Sequence, residues 1–254
     1  TEGLTVRVVS INGTTFNEND GYKYHEWAIS HNLSVYFNNN QFTFVPLTMI
    51  DSLNSGNLRE IKWDNQTQTY GDPVAADKKQ YIEIVFEFRS EANADVILES
   101  AKASTAKTGH SFTTPIEIAA TADISKVEAN GSVTAARLAN ALRLAYKSTA
   151  SYSVVAPEIY DATSHEGGAQ YGQWDGAAID YYQTLTGHTL TVPTQYSYVG
   201  EDEAEVNMLA LSAAQVETGE VQYYTGQLTI RLWLEGWDAD CFNAVTADVA
   251  AFEI

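Results

Sequence analysis

The chain has 254 residues, and 33 Asp and Glu against 14 Lys and Arg leave a formal net charge of −19. That balance excludes a nucleic-acid binder, which needs clustered cations to displace counterions from phosphate, and it disfavours docking on anionic lipid. A content of 44% hydrophobic and 11% aromatic residues excludes a disordered acidic tail, no apolar run is long enough to span a bilayer, and the single cysteine, Cys241, rules out an internal disulfide or a CxxC zinc site.

Period-two alternation dominates the chain and predicts strands. Leu4, Val6 and Val8 alternate with Thr5 and Arg7, giving a strand at the very start, followed by a polar loop over 12–23. Weaker strands are predicted at Leu33–Phe37 and Phe42–Pro46, then a long loop over Asn54–Lys79. In Tyr81–Arg89, Ile82, Ile84, Phe86 and Phe88 point one way while Glu83, Glu87 and Arg89 share the other face. Short strands at Val96–Leu98 and Pro115–Ala120 flank a loop over Lys102–Thr113. Leu138, Ala141, Leu142 and Ala145 fall at helical spacing behind Ser132, a residue suited to an N-cap, so a short helix is expected over 133–147. A strand at Tyr152–Ala156, a loop rich in Gly, Tyr and Asp over Ala162–Thr186, and a second short helix over 203–215 come next. Leu228, Ile230, Leu232 and Leu234 mark a core strand, with Trp233 and Trp237 covering it or meeting a neighbour, and Val249–Ile254 is the last strand. With 5 Pro, no linker and no repeat of solenoid length, the simplest architecture is all-β: one β-sandwich domain over 1–254, with long loop insertions and one or two short helices.

Familiar catalytic signatures are missing: there is no GxSxG elbow, phosphate-binding GxxxxGK loop, GxGxxG turn or HExxH pair. His25 and His31 come nearest to a zincin, but six residues of helix separate them by roughly 240° about the axis, and six residues of strand by roughly 20 Å. His165-Glu166 has no second histidine nearby. Acidic clusters at Asp238/Asp240 and Glu201/Asp202/Glu203 offer oxygen donors of the kind calcium takes, without EF-hand spacing; solvated charge is the competing reading. Tyr171, Trp174, Tyr181 and Tyr182 could form a sugar-stacking platform in the Gly-rich segment, or pack beneath a loop folded over the sandwich. Cys241, beside Phe242, reads as a small buried residue.

The most specific stretch is Leu228-Thr-Ile-Arg-Leu-Trp-Leu-Glu-Gly-Trp-Asp-Ala-Asp-Cys241. It resembles the penultimate-strand signature of Firmicute exported surface proteins related to the TasA/camelysin group. Ala136–Ala145 followed by Tyr152–Pro157 is similar to a helix and following strand of those proteins, and Thr1–Val9 to the strand after their exported leader. The resemblance implies a jelly-roll β-sandwich, export with signal-peptide removal, and subunits that polymerise into extracellular fibres, the N-terminal strand completing a neighbour's sheet. Thr1, in place of Met, accordingly suggests a processed or trimmed end. The chain departs from TasA over most of its length, and no zinc motif supports carrying over the metal-dependent proteolysis linked with the camelysin branch.

A terminal strand with one apolar face must pair at home or in another molecule, because an open edge exposes both backbone and side chains. Both placements fit the residues. The resulting expectation is a non-enzymatic structural subunit of a secreted, extracellular bacterial filament, a helical homopolymer whose partner is itself. Segment 1–11 would donate Leu4, Val6, Val8 and Ile11, without a cofactor and with calcium as the one candidate ion. Two alternatives are a secreted carbohydrate-binding module or adhesin and a metal-dependent hydrolase.

Overall fold

The most regular alternation in the chain builds the middle of the molecule. The computed structural model describes residues 4–16, 29–49, 57–64, 66–99, 102–104, 112–113, 130–133, 141–149, 152–159, 176–190, 197–199, 206–216, 222–237, 241 and 251–253. The first strands are β1 (Thr5–Ile11), β2 (Thr14–Thr15), β3 (Pro46–Leu47), β4 (Arg59–Glu60), β5 (Trp63–Asp64), β6 (Thr69–Tyr70), β7 (Val74–Ala75), β8 (Ile82–Ser90) and β9 (Ala94–Leu98). They continue with β10 (Lys102–Ser104), β11 (Phe112–Thr113), β12 (Ser132–Val133), β13 (Leu142–Lys147), β14 (Ser153–Ile159), β15 (Ser197–Val199), β16 (Val206–Leu211), β17 (Ala213–Val216), β18 (Gln222–Glu235) and β19 (Ala251–Glu253). Two helices, α1 (Ile29–Asn39) and α2 (Gly176–Thr186), complete the described elements, so the chain is all-β with predominantly antiparallel pairing.

One large sheet runs β19-β10-β14-β13-β18-β8-β1-β2, with β15 beside β14 and with β3 and β17 beside opposite ends of β18. β18 is its spine, pairing with β8 from Tyr224↔Ser90 to Leu232↔Ile82 and with β13 from Lys147↔Thr229 to Leu142↔Leu234. One face of this sheet carries Leu144, Leu228 and Ile230; the β9–β16 pair covers it with Val96, Leu98, Met208, Leu209 and Leu211. Further along the same face, α1 packs Tyr36 against Val8 and Ile11 of β1. The opposite face buries Trp233 and Ala145 among Leu47, Met49, Leu58 and Tyr152. Of the proposed core-strand residues, Leu228, Ile230 and Leu234 are buried and Leu232 is half-buried.

Five expectations are corrected. The helix over 133–147 does not form across its C-terminal half: Leu142–Lys147 is the strand β13, held between β14 and β18, and Ser132 lies in β12 rather than at an N-cap. A central strand covered on both faces loses its alternation, and Arg143, Leu144 and Ala145 are all buried, so a short apolar run imitates a helix. The helix over 203–215 is instead β16 and β17. A register shift between Asn207 and Leu209 lets the adjacent Met208 and Leu209 both face inward, and that bulge breaks the period of two. Conversely, the strand expected at Leu33–Phe37 is part of α1, where Ile29, Leu33, Tyr36 and Phe37 recur at helical spacing toward the core. The segments 54–79 and 162–186, expected as loops, contain the strands β4–β7 and the helix α2. Pro115–Ala120 lies outside the described residues.

Candidate functional site

Two places gather the residues that the sequence singled out. The first is the dock of β1. It pairs antiparallel with β8 within its own chain, from Thr5↔Arg89 to Ile11↔Ile84, with a bulge between Val8 and Ser10. Alternation sends Val6 and Val8 toward Phe88 and Phe86, while Arg7 faces Glu87 and forms an ion pair with it on the other side. Val8 and Ile11 are buried with Phe16 and Tyr36, Val6 is half-buried, and Leu4 is 44% exposed. Burial pushes the Tyr36 hydroxyl up from its ordinary value. The apolar face that would be costly in water is therefore covered at home.

Asn12 fastens this strand to the body of the sheet. It sits in the left-handed region at φ 46° with Gly13 at 77°, the pair of positive dihedrals that a tight hairpin between right-twisted strands requires. Its Nδ2 donates to the carbonyls of Lys78 and of Tyr81 (2.7 Å), and its Oδ1 accepts from the Glu83 amide at 2.5 Å. The Asn12 amide donates to the Glu83 carbonyl at 2.7 Å. Sequence reading missed this residue; an Asn-Gly pair after an alternating run was the signal available.

The second place is an aromatic cluster. α2 presents Ile179 and Tyr182 inward and Tyr181 outward, as neighbours one residue apart on a helix must. Opposite, the hairpin β5–β6 aligns Trp63 with Tyr70 across its register. The hairpin turn is held by Asp64, whose Oδ1 accepts from the amides of Gln66 (2.7 Å) and Thr67 (3.2 Å), bonds that hold its carboxyl below the usual range. Tyr70 packs edge-on against Tyr182 at 5.1 Å, and Tyr182 meets Trp237 at 5.3 Å. Of the four aromatic residues expected to form a platform, Tyr181 is 50% exposed, Tyr182 is buried in the base, and Tyr171 and Trp174 lie outside the described residues. Trp63 and Tyr70, in a segment expected to be a featureless loop, join Tyr181 and Tyr182.

Charge is buried in two further centres on the large sheet. Glu235 is fully buried, accepting from Trp233 Nε1 at 3.0 Å and from the Trp237 amide at 3.1 Å. Burial raises its carboxyl from the ordinary 4.5, opposed by the Arg143 charge and these hydrogen bonds. Trp233 and Trp237 are thus both inside the chain rather than on an outer face. Glu83 accepts from Arg231 Nε at 2.9 Å and from the Tyr152 hydroxyl at 3.1 Å, and the Arg231 guanidinium lies 4.3 Å from the Tyr152 ring centre. These contacts knit β8, β18 and the residue just before β14 together and present no nucleophile with a paired base. His31 is on the exposed side of α1 and Cys241 is partly buried, while His25, His165, Glu166, Asp238, Asp240 and Glu201–Glu203 lie outside the described residues. Among the described residues no group of three or more His, Cys, Asp or Glu could hold a metal ion, and no helix is long and apolar enough to cross a membrane.

No family model, curated protein or solved structure matches the chain. The likeness to the TasA/camelysin group accordingly rests on the quoted motifs alone.

Proposed function

We propose that the chain is a non-enzymatic structural subunit, secreted and assembled into an extracellular bacterial filament by passing β1 from one copy to the next, on a jelly-roll version of its β-sandwich. The observation that carries this reading is the place of β1 in the sheet. It lies near the margin, and among the described strands it pairs with β8 and the two-residue β2 alone, so it can leave without parting any other pair of described strands. A β1 from a second copy would restore the same ladder on β8 and return Val8 and Ile11 to the same pocket, each worth about 1.5–3 kcal/mol of buried side chain. Exchange of one element between identical chains is a low-cost route to association, and in a head-to-tail arrangement it propagates as an open filament unless it closes into a ring. Leu4 and Val6 would extend the anchor begun by Val8 and Ile11. The hydrogen bonds of Asn12 add to the β8 ladder and the buried Val8 and Ile11 in holding the closed monomer, and their release would help to free the strand.

A reversible lock tests this. In a Cys241→Ser background, Arg7→Cys with Glu87→Cys places two thiols at register partners on β1 and β8. Negative-stain microscopy is expected to show fibres under reducing conditions and none once the cystine forms, with Asn12→Ala raising the fibre yield of the unlocked protein. Fibres from fully oxidised protein, or none from the reduced or wild-type chain under any condition, overturn exchange of β1.

A further inference from the structure

The aromatic cluster divides into two layers with different tasks. Tyr182 and Trp237 form its buried base, at 1% and 6% exposure, and Tyr70 is half-buried above them. Trp63 and Tyr181 remain 37% and 50% exposed on top, their ring centres 6.1 Å apart and their planes inclined by 39°. They are held out by rigid elements. Trp63 is fixed by hairpin register opposite Tyr70, Tyr70 lies 5.0 Å edge-on from it, and Tyr181 belongs to a helix whose next residue is buried. Two large rings kept together at the surface in this way form an exposed aromatic patch of the kind that marks a binding position.

We infer that Trp63 and Tyr181 form a stacking platform for a neutral pyranose residue of a polysaccharide. The electron-rich face of an aromatic ring attracts the weakly positive C–H groups on the flat face of a pyranose. Two inclined faces side by side grip a sugar or two successive sugars better than one plane does. The hydroxyls at the sugar's edge need polar partners, and Asp180, exposed and next to Tyr181 along α2, carries a carboxylate able to accept from them. The charge of −19 selects against uronate or sulfated chains by long-range repulsion, which is why the occupant is a neutral glycan. Because Tyr70 packs against both rings, at 5.0 Å from Trp63 and 6.3 Å from Tyr181, little side-chain freedom remains to be lost on stacking. The platform includes no residue of β1 or β8, so it stands independently of how copies assemble.

The probes are neutral polysaccharides (β-1,4-glucan, β-1,3-glucan, mannan and galactan) in native affinity gels of the monomer, with alginate as the polyanionic control. At least one neutral glycan is expected to retard the wild-type chain and quench its tryptophan fluorescence, and alginate is expected to do neither. Trp63→Ala and Tyr181→Ala, two substitutions at exposed positions, are each expected to weaken the retardation at least tenfold, while Trp63→Phe keeps most of it. Far-UV circular dichroism of each variant reports whether its fold survives, and the wild-type fluorescence titration stands regardless. Absence of retardation by every neutral glycan, or equal retardation of wild type and the two alanine variants, overturns the platform. So does sedimentation showing that the two alanine variants lose self-association instead, which would make the patch a protein interface.

Discussion

Buried Glu235 is the residue at which burial and function of a charge can be separated. Its carboxyl is raised above 4.5 because desolvation outweighs the opposing Arg143 charge and the bonds from Trp233 and Trp237. A group whose folded value lies above its unfolded one binds more protons in the native state, so its stabilising contribution is complete below pH 4.5 and declines as pH rises through the folded value. The stability of the wild type relative to Glu235→Gln should therefore be greatest in acid and shrink steadily toward neutral pH in urea titrations; a difference that is flat or grows with pH contradicts the raised carboxyl. No sequence pattern announces this centre. The alternation of β18 puts Glu235 opposite the leucines with Thr229 and Arg231, on what reads as a polar face, yet it is fully buried where β3 pairs alongside it at Leu47. Asn12 was legible in part, because Asn-Gly predicts a hairpin, but its grip on Lys78, Tyr81 and Glu83 spans 66 to 71 residues of chain and exists only in three dimensions.

At the level of the element, alternation identified β1, β8, β9, β14 and β18 and failed where packing breaks the period. β13 is buried on both faces, with Leu144 on one and Arg143 and Ala145 on the other, and β16 carries a bulge. α1 and α2 were missed because their polar sides are rich in Asn, Ser, Asp and Thr, the composition of loops, while their apolar stripes are narrow. The approach of β16 to β18 depends on Gly226: a Cβ there would sit 3.0 and 3.1 Å from the Leu209 methyls and 3.1 Å from Leu211. Adding that one carbon pushes against two side chains of the buried cluster between the large sheet and the β9–β16 pair, and overpacking of this kind costs about 1–3 kcal/mol. Gly226→Ala is expected to lower the urea midpoint by an amount in that range without a change in slope; an unchanged or higher midpoint shows that the β9–β16 layer can move away freely.

For the whole molecule, the excess of 33 acidic over 14 basic residues governs how copies meet. Arg7 is paired with Glu87, and Arg231 is buried against Glu83, so neither adds free positive charge to the surface to offset repulsion between subunits. Repulsion between like-charged bodies is screened within about 10 Å at 0.1 M salt. On the filament reading, light scattering should show assembly accelerating with sodium chloride and more strongly with divalent cations, and assembly indifferent to ionic strength would remove charge as its control. The same repulsion keeps unassembled chains apart in dilute salt, so the closed, self-paired β1 is the state in which the subunit would wait.

Local chemistry was enough to settle the all-β character, the acidic surface, the absence of an internal disulfide and the strongest strands, because period-two alternation and composition are properties of neighbours along the chain. It also singled out Tyr181 and the apolar face of β1. Tertiary structure alone decided that β1 is covered in its own chain, that Trp233 and Trp237 face inward, and that Trp63 comes beside Tyr181 from more than a hundred residues away. These are outcomes of which surfaces meet, and two segments distant in sequence acquire a shared environment only when the folded layers bring them into contact.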